Sequence, residues 1–245
     1  MYDFLQRVST KHKYLNAMKD DNDIKLENYE DEDIGDIVVI LEKSFAIKFD
    51  QYAFINVRTF GELCDVVESY IQYDHKEGCT KQQAFYKIRA AISETQSIDK
   101  SAITLGSKLA DLFPRHNRRR QIKIFKKQLG IKVKFLTFPG WLATTLFAGL
   151  LCSFIAFFFD WKVALSGTAF FALTITIAEK LGKDLELDTV KDLTEKAVTE
   201  YYVEIRRSKL TVNRKEIVAI ITDAFSRELS LEKEHLTRDA KFSWA

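Results

Sequence analysis

The sequence predicts an all-α protein whose helical bundles are interrupted by a two-helix hairpin that spans a membrane. Apolar residues recur at helical spacing through the polar parts of the chain, which is typical of amphipathic helices. Residues 135–159 contain no charged side chain, which is typical of a membrane-spanning segment. The 245 residues include only two prolines and nine glycines, and this composition disfavours a loop-rich β fold.

Amphipathic stripes place the helices of the polar parts. Residues 1–23 are expected to form an N-terminal helix, and because Lys11 and Lys13 interrupt its apolar side, it does not read as a signal peptide. Apolar residues three and four positions apart predict a helix over 33–46. The further predicted helices are 60–72, 81–95, 117–130, 189–203 and 214–227.

Four helix starts carry a capping residue followed, three positions later, by a side chain that can reach back to the backbone. The predicted pairs are Thr59 with Glu62, Thr80 with Gln83, Thr189 with Asp192, and Asn213 with Glu216. These starts belong to a wider pattern, because the polar sequence repeats itself. The matched segments are 41–49 with 125–133, 59–63 with 189–193, and 88–109 with 221–242. Such a repeat predicts that one unit of structure occurs twice.

Two uncharged segments predict an antiparallel transmembrane hairpin over residues 139–179. As a helix the first, 139–159, would span about 31 Å, and the second, 163–178, about 24 Å. Only residues 160–162 join them. A hairpin buried inside a soluble protein is the alternative, but the first segment is apolar on all sides, which favours the membrane.

Small residues at a spacing of four on both segments predict close helix packing in lipid. The ridges are Thr144, Ala148, Cys152 and Ala156 on the first segment, and Ala164, Thr168, Ala172 and Thr176 on the second. The same ridges leave open a homo-oligomer, in which the hairpins of several chains assemble.

Basic residues flank the hairpin on its outer sides, and by the positive-inside rule both termini are expected in the cytoplasm. Residues 115–134 include nine cations, and this stretch is expected to contact the head groups of membrane lipid. The candidate contacts are Arg118, Arg119, Arg120, Lys123, Lys126 and Lys127. Because the membrane already explains these cations and the net charge is only +2, no nucleic-acid partner is expected.

The repeated segments resemble the helices of an acyl carrier protein. The phrase Leu-Glu-Lys-Ser-Phe-Ala-Ile-Lys-Phe at 41–49 is similar to the end of helix II in that family. Residues 56–71 are similar to the start and body of helix III, and residues 80–112 to helix I with its long loop. The resemblance implies acyl-carrier-like helical bundles with the hairpin inserted.

The resemblance implies two such bundles. One consists of 80–135 plus 185–204, with the hairpin between its helices II and III. The other is split, because 24–74 resemble helices II and III whereas 213–245 resemble helix I. We expect this second bundle to close within one chain as a permuted carrier. A domain-swapped dimer and a free amphipathic helix at 213–245 are the alternatives.

A working acyl carrier holds phosphopantetheine on a serine at the start of helix II, and that serine is missing here. The family's spacing places the attachment position near Asp31 in one bundle and near Arg115 in the other. Ser44 falls at the wrong end of its helix, and Ser107 lies in the preceding loop. No cofactor is therefore expected.

Carrier proteins generally present an acidic helix II to basic partner enzymes, and the split bundle keeps acidic residues there. The candidate partner-binding residues are Asp31, Glu32, Asp33, Asp36 and Glu42. In the other bundle the sign is reversed. A solvated acidic face without a partner is the alternative interpretation.

Nothing in the sequence resembles an enzyme active site or a metal site. The four histidines are scattered, the three cysteines lack metal-ligand spacing, and no glycine-rich phosphate loop occurs. The sequence therefore predicts a non-catalytic adaptor or scaffold, anchored in the membrane, for an unknown cytoplasmic protein, and the resemblance points to acyl or lipid metabolism. A genuine membrane-tethered acyl carrier and a structural subunit of an oligomeric membrane complex are the alternatives.

Overall fold

The computed structural model describes residues 25–155, 157 and 160–245, and for Glu179 and Lys180 it describes the backbone alone. The N-terminal helix predicted over 1–23 lies outside these residues. The described chain divides into two compact units. Residues 135–186 form one, here called the hairpin unit, and residues 25–134 with 187–245 form the other, here called the helical unit.

The helical unit confirms the all-α prediction, because its secondary structure is almost entirely helix. Its helices are α1 (Asp31–Phe45), α2 (Phe60–Tyr70), α3 (Thr80–Gln96), α4 (Leu109–Leu112), α5 (Arg118–Leu129), α8 (Val190–Glu200), α9 (Tyr202–Ile205) and α10 (Arg214–Leu229). Short strands β1 (Asp74–His75) and β4 (Thr211–Val212) form a parallel pair. Each of the six predicted helices of the described polar chain is present within a few residues of its predicted bounds.

Two of the predicted caps are confirmed in full. Thr59 accepts the backbone N–H of Glu62 while the Glu62 carboxylate accepts that of Thr59, and Thr189 and Asp192 do the same. The cap predicted at Thr80 is wrong, because α3 begins with Thr80 itself and follows Cys79. Asn213 does cap α10, but it accepts from the N–H of Lys215, while the Glu216 side chain turns elsewhere.

The helices of the helical unit share one core. Helix α3 packs against α5 and α8, while α10 packs against α1, α2 and α8. Helix α1, predicted for the split bundle, also contacts α8, predicted for the other bundle, so the helices of the two predicted bundles pack against each other. Within one chain, residues 213–245 therefore lie against residues 25–74. Residues at the centre of the core are Ile37, Leu41, Phe45, Phe60, Ile88, Phe125, Leu193, Ile221 and Phe225.

The sequence repeat is confirmed in the detail of the backbone around α3 and α10. Each helix ends at a serine in the left-handed conformation, with φ of 56° at both Ser97 and Ser230. One turn earlier the hydroxyls of Ser93 and Ser226 each donate to the carbonyl five residues on, at 2.7 and 2.6 Å. A short 3-10 turn then follows in both copies, at Lys100–Ala102 and Lys233–His235.

The loop that follows each of these helices forms an isolated β-bridge with the start of another helix of the same repeat. Lys108 forms an isolated antiparallel bridge with Thr189, and Lys241 forms one with Thr59. The two bridges lie at the capping boxes of α8 and α2. Helices α3 and α8 of one repeat are thus joined in the same way as α10 and α2 of the other, and α5 and α1 pack on α3 and α10 respectively.

The hairpin unit contains two antiparallel helices and a small strand pair. Its elements are β2 (Leu136–Thr137), α6 (Gly140–Ile155), α7 (Trp161–Leu181) and β3 (Asp184–Leu185), and β2 pairs antiparallel with β3. The two helices pack closely at glycines. A Cβ at Gly149 would clash with the Phe171 ring, and one at Gly167 would lie 2.6 Å from the Ser153 hydroxyl.

Among the described residues, one helix is long and apolar enough to cross a membrane: α7, whose residues Trp161–Ala178 have a mean hydropathy of 1.4. The α6 helix is apolar but ends at Ile155 and is shorter. Of the predicted small-residue ridge on α7, Ala164 is buried, Thr168 and Ala172 are half-buried, and Thr176 is exposed. Thr144, Ala148 and Cys152 of α6 are exposed instead.

Candidate functional site

The acidic start of α1 forms the first candidate surface. Asp31, Glu32 and Asp36 are exposed there. Asp33 is half-buried, and its carboxylate accepts the backbone N–H of Glu30, which closes a capping box. Negative charge in the first turn of a helix is stabilised by the partial positive charge of the free backbone N–H groups. We call Asp31, Glu32 and Asp36 the acidic face.

Glu42, the fifth predicted partner-binding residue, lies apart from the acidic face. Its carboxylate accepts the backbone N–H of Phe49 at 2.9 Å and pairs with Lys48. Burial raises the pKa of Glu42, but these two hydrogen bonds outweigh burial and hold the pKa below its ordinary value. Glu42 therefore fastens the chain after α1.

Exposed apolar surface adjoins the acidic face. Val39 is 60% exposed, and it lies one turn beyond Asp36 on the same side of α1. It borders an open pocket of about 500 Å³. The other lining residues are Glu42, Lys43, Ala46, Ile47, Lys48 and Glu204.

The second candidate surface is the exposed side of α5. Arg119, Arg120, Lys123 and Lys127 are exposed, and their spacing puts them on one side of the helix. We call these four residues the basic face. No Asp or Glu occurs anywhere in residues 112–159.

The remaining two predicted lipid contacts are turned into the protein. Arg118 is 8% exposed, and its Nε donates to the Phe113 carbonyl at 2.7 Å. Lys126 is half-buried. Burial lowers its pKa, and the positive charges of Lys134 and Lys196 lower it further. The structure thus brings four of the six predicted cations together at the surface.

The structure locates the two residues that the resemblance assigns to phosphopantetheine attachment, Asp31 and Arg115. Asp31 is the first residue of α1, and Arg115 lies shortly before α5. Ser44 is fully buried and its hydroxyl makes no hydrogen bond. Ser107 is half-buried in the loop, where its hydroxyl accepts the N–H of Thr104 at 2.9 Å. Neither serine lies at the start of α1 or of α5.

A buried polar cluster joins the two repeats, and sequence analysis missed it. The Arg206 guanidinium, 2% exposed, donates to the Lys76 carbonyl at 2.6 Å and to the Thr80 hydroxyl, and lies 3.6 Å from Glu216. Glu216 also accepts from the Tyr202 hydroxyl at 2.9 Å. Because Arg206 and Arg207 are adjacent cations, nothing in the local pattern distinguishes the buried one.

The cysteines show no shared site. Cys64 is buried, whereas Cys79 and Cys152 are exposed, and burial raises the pKa of the Cys64 thiol to about 12. Within residues 25–155 and 160–245 as described, no group of three or more His, Cys, Asp or Glu residues is placed to hold a metal ion. Comparison of the chain with protein-family models, curated protein sequences and solved structures finds no match.

Proposed function

We propose that this chain is a membrane-anchored adaptor that uses an acyl-carrier-like fold to bind a cytoplasmic protein and does not carry an acyl group itself. One observation carries the proposal: the acidic face and the exposed Val39 lie together on the outer side of α1. Charges around an exposed apolar residue suit a partner with a basic rim and an apolar contact at its centre.

The residues at the expected attachment positions support the proposal that this chain does not carry phosphopantetheine. Asp31 stands at the start of α1 and Arg115 precedes α5, so neither repeat offers a hydroxyl there. Ser44 is enclosed in the core. A phosphopantetheine on Ser44 would require α1 to leave its place in the bundle.

The anchor we propose is a two-span hairpin with both termini in the cytoplasm. Helix α7 has the length and composition to cross a membrane, and α6 packs antiparallel against it. The pairing of β2 with β3 brings the start and the end of the hairpin side by side. Both flanking segments then leave the bilayer on one side, and their lysines and arginines favour the cytoplasmic side.

Photo-crosslinking tests the partner surface. A photoreactive amino acid at Val39 should give a defined protein adduct in the cells that make this chain. The D31N/E32Q/D36N variant should lose that adduct, because the steering charges are gone. The matched control E232Q/E234Q/D239N removes three exposed acids of the same unit and should keep it. An adduct that ignores the acidic face would contradict the proposal.

A second candidate function, a subunit of a homo-oligomeric membrane complex, is favoured by the exposed ridge of α6. Thr144, Ala148 and Cys152 form a small-residue ridge that α7 does not cover. If hairpins of different chains pair there, mild oxidation should crosslink chains through Cys152, and Cys152→Ser should abolish the crosslink.

A further inference from the structure

The internal repeat allows the charge of α5 to be compared with the charge of α1, the equivalent helix of the other repeat. Helix α5 holds the position in one repeat that α1 holds in the other. Aligning Phe125 with Leu41 sets Arg120 against Asp36. The same fold position therefore accepts either sign, and α5 does not need its cations in order to form or to pack. The reason for the basic face must lie outside the repeat.

The basic face is unfavourable for the isolated protein. Arg119, Lys123 and Lys127 follow one another at a spacing of four, and like charges at that spacing destabilise a helix. In the part of the chain that the structure describes, Arg120, Lys123 and Lys127 make no ion pair. An anionic partner would relieve this repulsion.

The connection of the chain favours a membrane as that partner. Helix α5 ends at Leu129 and the apolar helix α6 begins at Gly140. Ten residues lie between them, and such a link reaches at most about 35 Å. Ile124, 43% exposed, lies at the edge of the basic face, because it follows Arg120 by four residues. A single apolar side chain beside a basic surface suits the boundary between head groups and acyl chains.

We propose that the basic face docks on anionic lipid head groups of the same membrane that holds the hairpin unit. This inference rests on the proposed membrane anchorage. The apolar side of α5, with Ile122, Phe125 and Leu129, is buried in the core, so α5 does not insert as a free amphipathic helix. The docking is mainly electrostatic, and it fixes which side of the helical unit faces the bilayer.

Hydrogen–deuterium exchange on the full-length chain in lipid nanodiscs tests the docking. Exchange of the α5 amides should be slower in nanodiscs that contain phosphatidylserine than in pure phosphatidylcholine. Each cation near an anionic surface contributes about a fivefold factor to association, so R120Q/K123Q/K127Q should weaken docking about a hundredfold. That variant should show no difference between the two lipids. Raising the salt from 0.1 to 1 M shortens the screening length from about 10 to 3 Å and should have the same effect.

The matched control is K100Q/K191Q/K209Q, which removes three exposed lysines of the same unit and should keep the wild-type difference. Comparing two lipids for each protein cancels any change in helix stability. If wild-type α5 exchanges equally in both lipids, or if only an added oligonucleotide slows it, the docking is overturned. If the chain is not retained in nanodiscs at all, the membrane anchorage itself fails, which is a separate result.

Discussion

The packing of the C-terminal segment against α10 is tested most sharply by Phe242→Ala. Phe242 is 2% exposed, its ring stacks on Trp244 at a centroid distance of 4.5 Å, and it lies 6.3 Å from Phe225. Truncating a buried phenylalanine costs about 3–5 kcal/mol of unfolding free energy. Leu109, fully buried, holds the equivalent position in the other repeat, and Leu109→Ala should cost about 2–5 kcal/mol.

Pulse proteolysis of the full-length protein in urea measures these costs. With a urea dependence of about 2 kcal/mol per molar, a loss of about 4 kcal/mol lowers the unfolding midpoint by about 2 M. Ile55→Ala is the control, because Ile55 is 64% exposed and its loss should change the free energy by less than about 0.5 kcal/mol. If Phe242→Ala leaves the midpoint where the control does, the Phe242 ring is not buried against α10.

Three further predictions concern the helical unit. A water-soluble maleimide should modify Cys79 in the native protein but Cys64 only after unfolding, because burial raises the pKa of Cys64 to about 12; equal labelling rates would refute its burial. Burial raises the pKa of Asp223, but hydrogen bonds from two lysines outweigh burial and lower the pKa below its ordinary value. The stabilisation that the ionised carboxylate contributes is therefore present above about pH 4 and is lost as pH falls through the folded pKa. The urea midpoints of Asp223→Asn and wild type should converge in acid. Arg206→Met should cost about 3 kcal/mol by the same urea assay, because it leaves Glu216 without its buried cationic partner.

Helix positions and the repeat could be predicted because both depend on local periodicity. The stripe of α1 and the echo of 88–109 in 221–242 follow from side-chain spacing alone, and the spacing survives in the fold. The capping boxes at Thr59 and Thr189 were predictable for the same reason, since all their partners lie within three residues.

Contacts between distant segments could not be predicted in this way. Thr80 resembles a cap, yet its hydroxyl and N–H bond to Glu216, far along the chain. Arg118 is the first of three consecutive arginines. Its side chain donates to the Phe113 carbonyl, whereas Arg119 and Arg120 are exposed. A charge pattern indicates a basic helix without showing which of its cations are structural.

The orientation of α6 was beyond sequence analysis for a different reason. A helix that is apolar on all sides has no stripe to mark its packed face. The small-residue ridge suggested one choice, but α6 packs on α7 through Gly149 and Ser153 instead. The exposed small-residue ridge of α6 is the surface on which the proposed homo-oligomer depends.

The intact mass of the full-length protein, purified from the membranes of its own cells, tests the central claim most directly. A carrier-like fold reused as an adaptor predicts the unmodified mass of the chain and recovery in the membrane fraction. A mass increase of one phosphopantetheine, mapped to any serine, would contradict the adaptor and make this chain a membrane-tethered acyl carrier.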